Sequence, residues 1–450
     1  MKQAAAGRAI GWISAARRMA GAGAAMLGCC ALLLGCASAG AGRGERGPTP
    51  RVPPVRFAVI ADPHLFDVST SDAGPAFDRG LAGSARLHAE SRPILERALA
   101  DIAAERPAFL LVCGDLTRDG ERSAHELAAA MLGAFEASGV PVLVVPGNHD
   151  IANPEAARFV GESVERVPGV SPEEFAAIHA DLGYADALER DAASLSYVAK
   201  PVPGQRVLAL DGCWYRGGPA SPRIDGSLSP QTLAWASRAL DRAREEGDAA
   251  IVMIHHAVAP HFDRMEARLD VTLIEDHRAV ARLLAGAGSR LVFTGHGHAQ
   301  DVVRCDTADG PIWDVETGSL VSWPNPWRLV EVGADGVVNI RSRRVTAIGS
   351  DGAGIEALAR TRLDREMRDT ALAMLRRRGV RGEAAFAIAR RAVEAGAAFF
   401  AGDEPGPAAP VDRSALGSWA RVAERAVRPL LDALGTDLPP ADNDVALPLD

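Results

Sequence analysis

Five short apolar runs, each followed at once by side chains able to bind a metal, constrain this chain more than any other feature. Such runs are typical of β-strands buried on both faces. They cover residues 55–61, 108–113, 140–145, 249–254 and 290–294. The groups that follow them are Asp62-Pro63-His64, Gly114-Asp115, Gly147-Asn148-His149-Asp150, His255-His256 and Gly295-His296-Gly297-His298. Because ligands of parallel α/β sheets bind at the carboxyl ends of the strands, we expect the five segments to meet in one crevice.

Helical patterns lie between these runs, so the sequence predicts an α/β layered core. One helix begins at Ser91, with Pro93 in its first turn, and others cover 123–137 and 229–246. We expect residues 55–349 to form one domain, with an insertion at 154–206 near the site.

A different pattern follows residue 349. Segments 355–377, 383–400 and 414–434 are rich in Ala, Arg and Leu and are predicted to be helices. Residues 350–450 are therefore expected to be a C-terminal helical region, and the last 15 residues are expected to fray.

The beginning of the chain indicates export. Residues 19–34 are uncharged and follow a basic stretch, but they are short for a membrane span of about 20 residues. Residues 1–35 are predicted to be a signal peptide that ends in Leu33-Leu34-Gly35-Cys36, a sequence similar to the lipobox of bacterial lipoproteins. Lipidation of Cys36, a flexible tether at 36–54 and an extracytoplasmic, membrane-anchored lipoprotein of a bacterial cell envelope are expected. Cleavage without lipidation, a cut before Cys29 and an uncleaved anchor are the alternatives.

Composition excludes other classes of protein. With 48% apolar and 24% charged residues, the chain is neither mainly disordered nor a multi-pass membrane protein. Its net charge is −9, and removal of the basic leader makes it more negative, so nucleic-acid backbones are not expected partners. Beyond the leader, Cys113, Cys213 and Cys305 imply no disulfide framework, although a Cys213–Cys305 bridge is an alternative.

The donors in the five groups indicate a pair of metal ions. They are oxygen and nitrogen donors without a thiol, which suits borderline-hard divalent metals. For a single histidine, a hydrogen-bonded or exposed imidazole is the usual role, but five strand-end groups in order favour metal binding. No Gly-x-Ser-x-Gly nucleophile elbow, Walker-type phosphate loop or dinucleotide-binding glycine motif competes with this interpretation.

The order Asp-x-His, Gly-Asp, Gly-Asn-His-Asp, His and Gly-His-x-His resembles the signature of the calcineurin-like metallophosphoesterase family over residues 57–298. The flanking sequences look like a bacterial exported subgroup, and Asp150 stands where many members have Glu. The resemblance implies a four-layer α/β/β/α sandwich, here with a C-terminal helical appendage, and two ions of the Mn, Fe, Zn or Co type. It implies that one ion is held by Asp62, His64 and His298, that the other is held by Asn148, His255 and His296, and that Asp115 bridges both.

Such a centre implies attack on a phosphate ester by a metal-bridging hydroxide. His149 is expected to protonate the leaving group or bind the phosphoryl oxygen, with Asp150 orienting its ring; support of the metal ligands is the alternative role. His256 and His261 are candidate substrate contacts, with a role behind the ligands or, for His261, solvent exposure as alternatives.

The function predicted from these residues is that of a metal-dependent phosphoric ester hydrolase. A diester is favoured over a monoester, and the substrate is expected to be a small-molecule or lipid phosphate ester. A non-catalytic scaffold that binds a protein through the C-terminal helices is the alternative. Because the chain retains all seven candidate ligands and His149, we favour the enzyme.

Overall fold

The computed structural model describes residues 49–449 except 82, 216–223, 269, 350–351 and 408. The predicted signal peptide, Cys36 and most of the predicted tether lie outside the described residues. The strands are β1 (Val55–Ile60), β2 (Leu110–Cys113), β3 (Val142–Val145), β4 (Ala157–Val160), β5 (Ser163–Arg166), β6 (Glu189–Arg190), β7 (Tyr197–Val202), β8 (Gln205–Leu210), β9 (Ala249–Ile254), β10 (Leu291–Thr294), β11 (Asp301–Thr307), β12 (Gly310–Glu316), β13 (Pro326–Val332), β14 (Val337–Arg344), β15 (Ala347–Ile348), β16 (Ala353–Gly354) and β17 (Asp444–Pro448).

The α-helices separate or follow these strands. They are α1 (Pro75–Leu81), α2 (Ser91–Ala104), α3 (Arg122–Glu136), α4 (Pro172–Ile178), α5 (Pro230–Glu245), α6 (Met265–Arg268), α7 (His277–Gly286), α8 (Glu356–Arg377), α9 (Gly382–Ala401) and α10 (Ser418–Leu434). Among the described residues, none of these helices combines the length and the apolar character that crossing a bilayer requires.

The five apolar runs are divided between two sheets. The first has the order β17-β14-β13-β1-β2-β3 and the second the order β11-β12-β10-β9-β8-β7-β6. Strands β1, β2 and β3 are parallel neighbours in the first sheet, and β9 and β10 are parallel neighbours in the second. The carboxyl ends of three runs therefore come from one sheet and those of two runs from the other.

The sheets pack face to face through a common apolar core. Phe57 of β1 meets Phe293 of β10 edge-on, with ring centroids 5.3 Å apart, and the Tyr197 hydroxyl of β7 donates to the Val144 carbonyl of β3 at 2.9 Å. Helix α2 buries an i, i+3, i+4 stripe that includes Ile94, Leu95 and Ala98. Because α2 shares the core cluster of β1, β2 and β3, α3 contacts β3, and α5 and α7 contact the second sheet, the predicted α/β/β/α sandwich is confirmed.

Three predicted helices follow the sandwich. Helices α8, α9 and α10 pack together around an apolar cluster that includes Leu375, Ile388 and Ala420. A second cluster joins Phe399 of α9 to Phe262, with ring centroids 5.5 Å apart. Because Phe262 lies shortly after the His255-His256 pair, the C-terminal helices contact a loop next to the strand-end groups.

Two local expectations are wrong. The final residues do not fray, since β17 pairs antiparallel with β14 and buries Leu447. The segment 154–206 is only partly an insertion, because β6, β7 and the first two residues of β8 within it belong to the second sheet, where Tyr197 is buried. Cys113, Cys213 and Cys305 are all free, so the alternative Cys213–Cys305 bridge does not form.

Candidate metal centre

Tight turns after the strands place the candidate ligands. Five of them have a positive backbone φ, between 38° and 71°: Asp62, His64, Asp115, His296 and His298. This region is uncommon for residues other than glycine, and such strain is concentrated at functional sites. Gly147 lets two turns approach each other, because a Cβ there would lie 2.2 Å from Asp115 Oδ1.

Asp62, His64 and His298 form the first group of donors. His64 Nε2 lies 3.2 Å from His298 Nε2. Asp62 Oδ1 lies 3.2 Å from His298 Nε2 and 3.8 Å from His64 Nε2. With Asp115, these residues each offer a ligand atom, and the four atoms all lie within 4.8 Å of one another. The group is compact enough for one cation.

Asn148, His255 and His296 form the second group. His255 Nε2 lies 3.2 Å from Asn148 Oδ1 and 3.2 Å from His296 Nδ1. Asp115 connects the groups, because its Oδ2 lies 3.5 Å from His64 Nε2 and 3.6 Å from His255 Nε2. The structure thus brings all seven predicted ligands together in the predicted sets, and their roles as metal ligands stay a prediction.

The polar atoms of the centre fit cations. Asp62 Oδ1 is buried without a hydrogen-bond partner in the described part of the chain. On the side away from the centre, His64 Nδ1, His255 Nδ1 and His296 Nε2 face backbone carbonyl oxygens at 3.3, 2.9 and 3.3 Å. An N–H donated to each carbonyl leaves the other ring nitrogen with a lone pair directed at the centre, as in metal-binding histidines.

Burial shifts the pKa values of the centre so that the uncharged form of each group is favoured. Burial lowers the pKa of His64, His296 and His298 well below the usual value, and nearby cationic side chains add to the effect. Burial also raises the pKa of Asp62 to about 6. The imidazoles are thus held neutral, which is the form that binds metal.

His149 lies at the open side of this centre and its side chain is 22% exposed. Its Nδ1 lies 3.0 Å from Asp119 Oδ1, and its Nε2 lies 4.0 Å from Asp115 Oδ2. Burial alone lowers the pKa of His149, but Asp115 and Asp119 outweigh that effect and the net pKa is raised. The ring of His149 thus lies between two carboxylates at the centre, and its role in proton transfer stays a prediction.

Asp150 has a different role from the one predicted. Its carboxylate is fully buried and accepts hydrogen bonds from the backbone N–H groups of Leu116, Thr117 and Gly147 and from the Thr117 hydroxyl. These contacts join the turn after β2 to the turn after β3. The prediction that Asp150 orients His149 is therefore wrong, because Asp119 holds that ring and the Asp150 carboxylate is engaged by the backbone.

His256 and His261 lie behind the centre. His256 is fully buried, its Nε2 is 2.8 Å from the Ile224 carbonyl, and its ring centroid is 4.4 Å from that of His296. His261 is also buried, with Nδ1 2.9 Å from Asp301 Oδ1. Burial alone lowers the pKa of His261, but Asp301, Asp314 and Glu316 raise it well above the usual value. With no accessible surface, neither side chain is placed to touch a substrate.

The sequence analysis missed two residues of this site. Asp119 is four residues beyond Asp115, and that short spacing within one loop is the signal that indicates it. Arg86 lines the opening, and its buried Nε has no hydrogen-bond partner in the described residues. Its positive charge also lowers the pKa of His64 and His298. Nothing in the sequence near Arg86 marks it, because the segment 83–87 meets the site only through the fold.

A cavity of about 760 Å³ opens from the centre. Its lining includes Asp115, Asn148, His149, His296 and His298, together with residues of the β4–β5 hairpin and of α8, α9 and α10. The volume lies within the range of about 300 to 1,000 Å³ typical of small-molecule sites.

The family model for calcineurin-like phosphoesterases matches residues 55–300 of this chain. That range is more than half of the sequence and contains every strand-end group. A comparison with curated proteins gave no match.

Solved structures similar to this chain include three proteins from other organisms. A dimetal phosphatase from Danio rerio is 19% identical, with 66% of this chain and 96% of that chain covered and a TM-score of 0.47. A NAD nucleotidase from Haemophilus influenzae is 12% identical, with 72% and 56% covered and a TM-score of 0.35. A phosphopantetheinyl hydrolase from Mycobacterium tuberculosis is 15% identical, with 60% and 90% covered and a TM-score of 0.32.

Proposed function

The chain belongs to the calcineurin-like phosphoesterase family, and from that premise we propose that it is a phosphodiesterase held on the outer side of a bacterial membrane by a lipid on Cys36. Family membership makes it a metal-dependent phosphoester hydrolase with two divalent metal ions. The preference for diesters, the export and the anchor are the parts of the proposal that go further.

The observation that carries the catalytic proposal is the convergence of seven donors beside a histidine that is held by a carboxylate. Asp62, His64 and His298 would hold one ion, Asn148, His255 and His296 the other, and Asp115 both. When bound, the ions supply positive charge and lower the pKa of water at the site.

His149 and Asp119 would carry the proton of the reaction. Asp119 accepts the Nδ1–H of His149 and so fixes the orientation of the ring. Nε2 of the protonated ring is then free to donate a proton to the leaving oxygen of the ester. Once that proton has left, the neutral ring keeps its Nδ1–H on Asp119.

Charge around the centre favours a diester, which carries one negative charge, over a monoester, which carries up to two. Arg118 is ion-paired with Asp119 and Glu121, and Arg166 with Glu155. Arg86 also lines the cavity, and its Nε has no hydrogen-bond partner in the described residues, so it can contact a phosphoryl oxygen. One such arginine matches the single negative charge of a diester. The cavity also extends to both the β4–β5 hairpin and the C-terminal helices, which gives space for two ester substituents.

The preference is tested with two substrates that share a leaving group: nitrophenyl phosphate, a monoester, and methyl nitrophenyl phosphate, a diester. The full chain is stripped with a chelator, each candidate metal is added back, and kcat/KM is measured for both substrates. We expect metal-dependent turnover with the diester preferred. Preference for the monoester with every metal would reject the diester proposal, and the absence of turnover with either substrate would favour the non-catalytic scaffold.

A further inference from the structure

The lining of the cavity falls into two sets of residues. One set is charged and polar and includes Arg86, His149 and Glu366. The other set is apolar and is supplied by all three C-terminal helices: Met367, Met374, Phe399, Phe400, Leu430 and Leu431. We call them the polar end and the apolar end of the cavity, because the first includes His149 beside the metal centre and the second belongs to the helices that follow the sandwich.

The apolar end is more than an irregular gap in the core. Side chains that face an unfilled space lose their packing contacts on that side, so protein interiors contain few spaces of this size. Two small residues, Ala371 of α8 and Ala392 of α9, form part of the wall. Met367 and Met374 add flexible thioether side chains, which adapt to apolar groups of varying shape.

The lining of the cavity also includes Arg378, just after α8. The Arg378 carbonyl accepts a hydrogen bond from the Trp419 indole N–H at 2.6 Å, and Trp419 is 65% exposed. Trp419 therefore presents its ring to solvent next to a residue that lines the cavity.

We infer that the substrate is a phosphate ester bearing a long alkyl or acyl chain, with its phosphate at the polar end of the cavity and its chain between α8, α9 and α10. This inference rests on the proposed function and specifies its substrate class. The C-terminal helices would then bind the substrate, and Arg86 would lie at the junction between phosphate and chain.

A series of alkyl nitrophenyl phosphate diesters, from methyl to dodecyl, tests the inference with the full chain below the critical micelle concentration of each ester. In each reaction water cleaves the bond between phosphorus and the nitrophenyl oxygen, which gives the alkyl phosphate and nitrophenol. We expect kcat/KM to rise by up to about fourfold per added methylene until the apolar end is filled. Equal turnover of all chain lengths would overturn the inference and leave the phosphodiesterase proposal intact, whereas no turnover of any member would count against the phosphodiesterase itself.

Two variants place the effect in the cavity. Ala371→Phe and Ala392→Phe should each fill the apolar end and reduce the ratio of octyl to methyl kcat/KM by about tenfold or more. The matched control is Ala357→Phe, since Ala357 lies on the same helix as Ala371 but is exposed, and it should keep the ratio of the unaltered chain. If both cavity variants folded and kept the same ratio as the unaltered protein, the alkyl chain of the ester would have to bind elsewhere.

A binding measurement checks the same point without turnover. Calorimetry should show that octylphosphonate binds more tightly than methylphosphonate, and that Ala392→Phe removes the difference. Equal affinities for the two phosphonates would contradict the inference.

A turnover measurement distinguishes a soluble amphiphile from a membrane lipid as the source of the substrate. The octyl ester is supplied either free in solution or within phosphatidylcholine vesicles, and turnover of either form supports the proposed substrate class.

Discussion

At the scale of single residues, the centre separates side chains that would hold metal from side chains that would move a proton. Asp115 lies between the two donor groups, with Oδ2 3.5 Å from one histidine nitrogen and 3.6 Å from another. His149 stands beside them and is held by Asp119 rather than by a predicted ligand. Substitutions at these positions should therefore have different effects on metal content and on rate.

Asp115→Ala should abolish turnover and lower the metal content, because one carboxylate would serve both ions. Metal is measured by elemental analysis of the purified chain, and turnover is measured with the methyl nitrophenyl diester. An active variant that still holds two ions per chain would show that Asp115 does not bridge them.

His149→Ala should keep both ions but lose about 10²- to 10⁴-fold in rate with a poor alkoxide leaving group. Nitrophenolate needs little protonation, so the loss with a nitrophenyl ester should be much smaller. Equal losses with both leaving groups would assign His149 to phosphoryl binding. A fall in metal content would instead make it a support of the ligands.

Asp119 and Asp150 give a matched pair of acid-to-amide substitutions. Asp119→Asn should slow the reaction with the poor leaving group while the melting temperature stays near that of the unaltered chain. Asp150→Asn should lower the stability by roughly 3 kcal/mol or more, because a buried acceptor of four hydrogen bonds is replaced. Thermal unfolding and rates are measured for both variants. A stable Asp150→Asn variant with a selective loss of rate would restore the original prediction for Asp150.

The sequence predicts the residues of the centre well where a strand ends. Each of the seven donors follows an apolar run, and the carboxyl ends of those runs do converge. It fails for Asp119 and Arg86, because their positions depend on how loops fold back over the site. The choice between Asp119 and Asp150 as the partner of His149 is likewise decided by which carboxylate the backbone N–H groups engage.

At the scale of elements, the end of α9 and the segment before β17 are joined by acidic side chains. Burial, with Asp301 and Asp442 nearby, raises the pKa of Glu404 to about 9, and Glu404 Oε2 has no hydrogen-bond partner in the described residues. Burial and Asp301 raise the pKa of Asp442 to about 8. His261 pairs with Asp301, and the Arg328 guanidinium donates to the Asp442 carbonyl.

Glu404→Gln should therefore stabilise the protein at alkaline pH. A carboxyl group whose pKa is raised by folding favours the folded state below its unfolded pKa of about 4.3, and that contribution is lost as the pH rises toward about 9. We expect the melting temperature of the variant to exceed that of the unaltered chain by a few degrees at pH above 8, with little difference near pH 4. Equal melting temperatures across this range would show that Glu404 is not buried in its charged form.

The elements themselves follow the sequence closely except near the end of the chain. Helices α2, α3 and α5 begin within one residue of their predicted starts, and first-turn prolines mark α2 and α5, the latter with a Ser229 cap as well. Strand β17 escapes prediction because its five residues lie in a polar, proline-containing segment. Only pairing with β14, more than a hundred residues earlier, makes that segment a strand.

At the scale of the whole molecule, the expected lipid anchor is the feature most open to a direct test. Cys36→Ser should release the protein from the membrane fraction, because a thioether-linked lipid needs the thiol. Fractionation and labelling with an acyl chain measure the effect. A variant that remains in the membrane and still carries the label would move the anchor to Cys29 or Cys30.

The pairing of β17 with β14 also determines at which end of the first sheet the chain enters β1 and leaves β17. Val55, at the start of β1, lies in one row across the sheet with Val332, Val338 and Leu447. Val55 and Leu447 thus lie at the same end of the strands, three strand spacings or about 14 Å apart. Asp62 follows the opposite end of β1, roughly 20 Å away along the strand. A lipid, a resin or a fusion partner attached through the chain before Val55 or after Leu447 is therefore joined to the sheet at the end opposite Asp62 and the other candidate ligands.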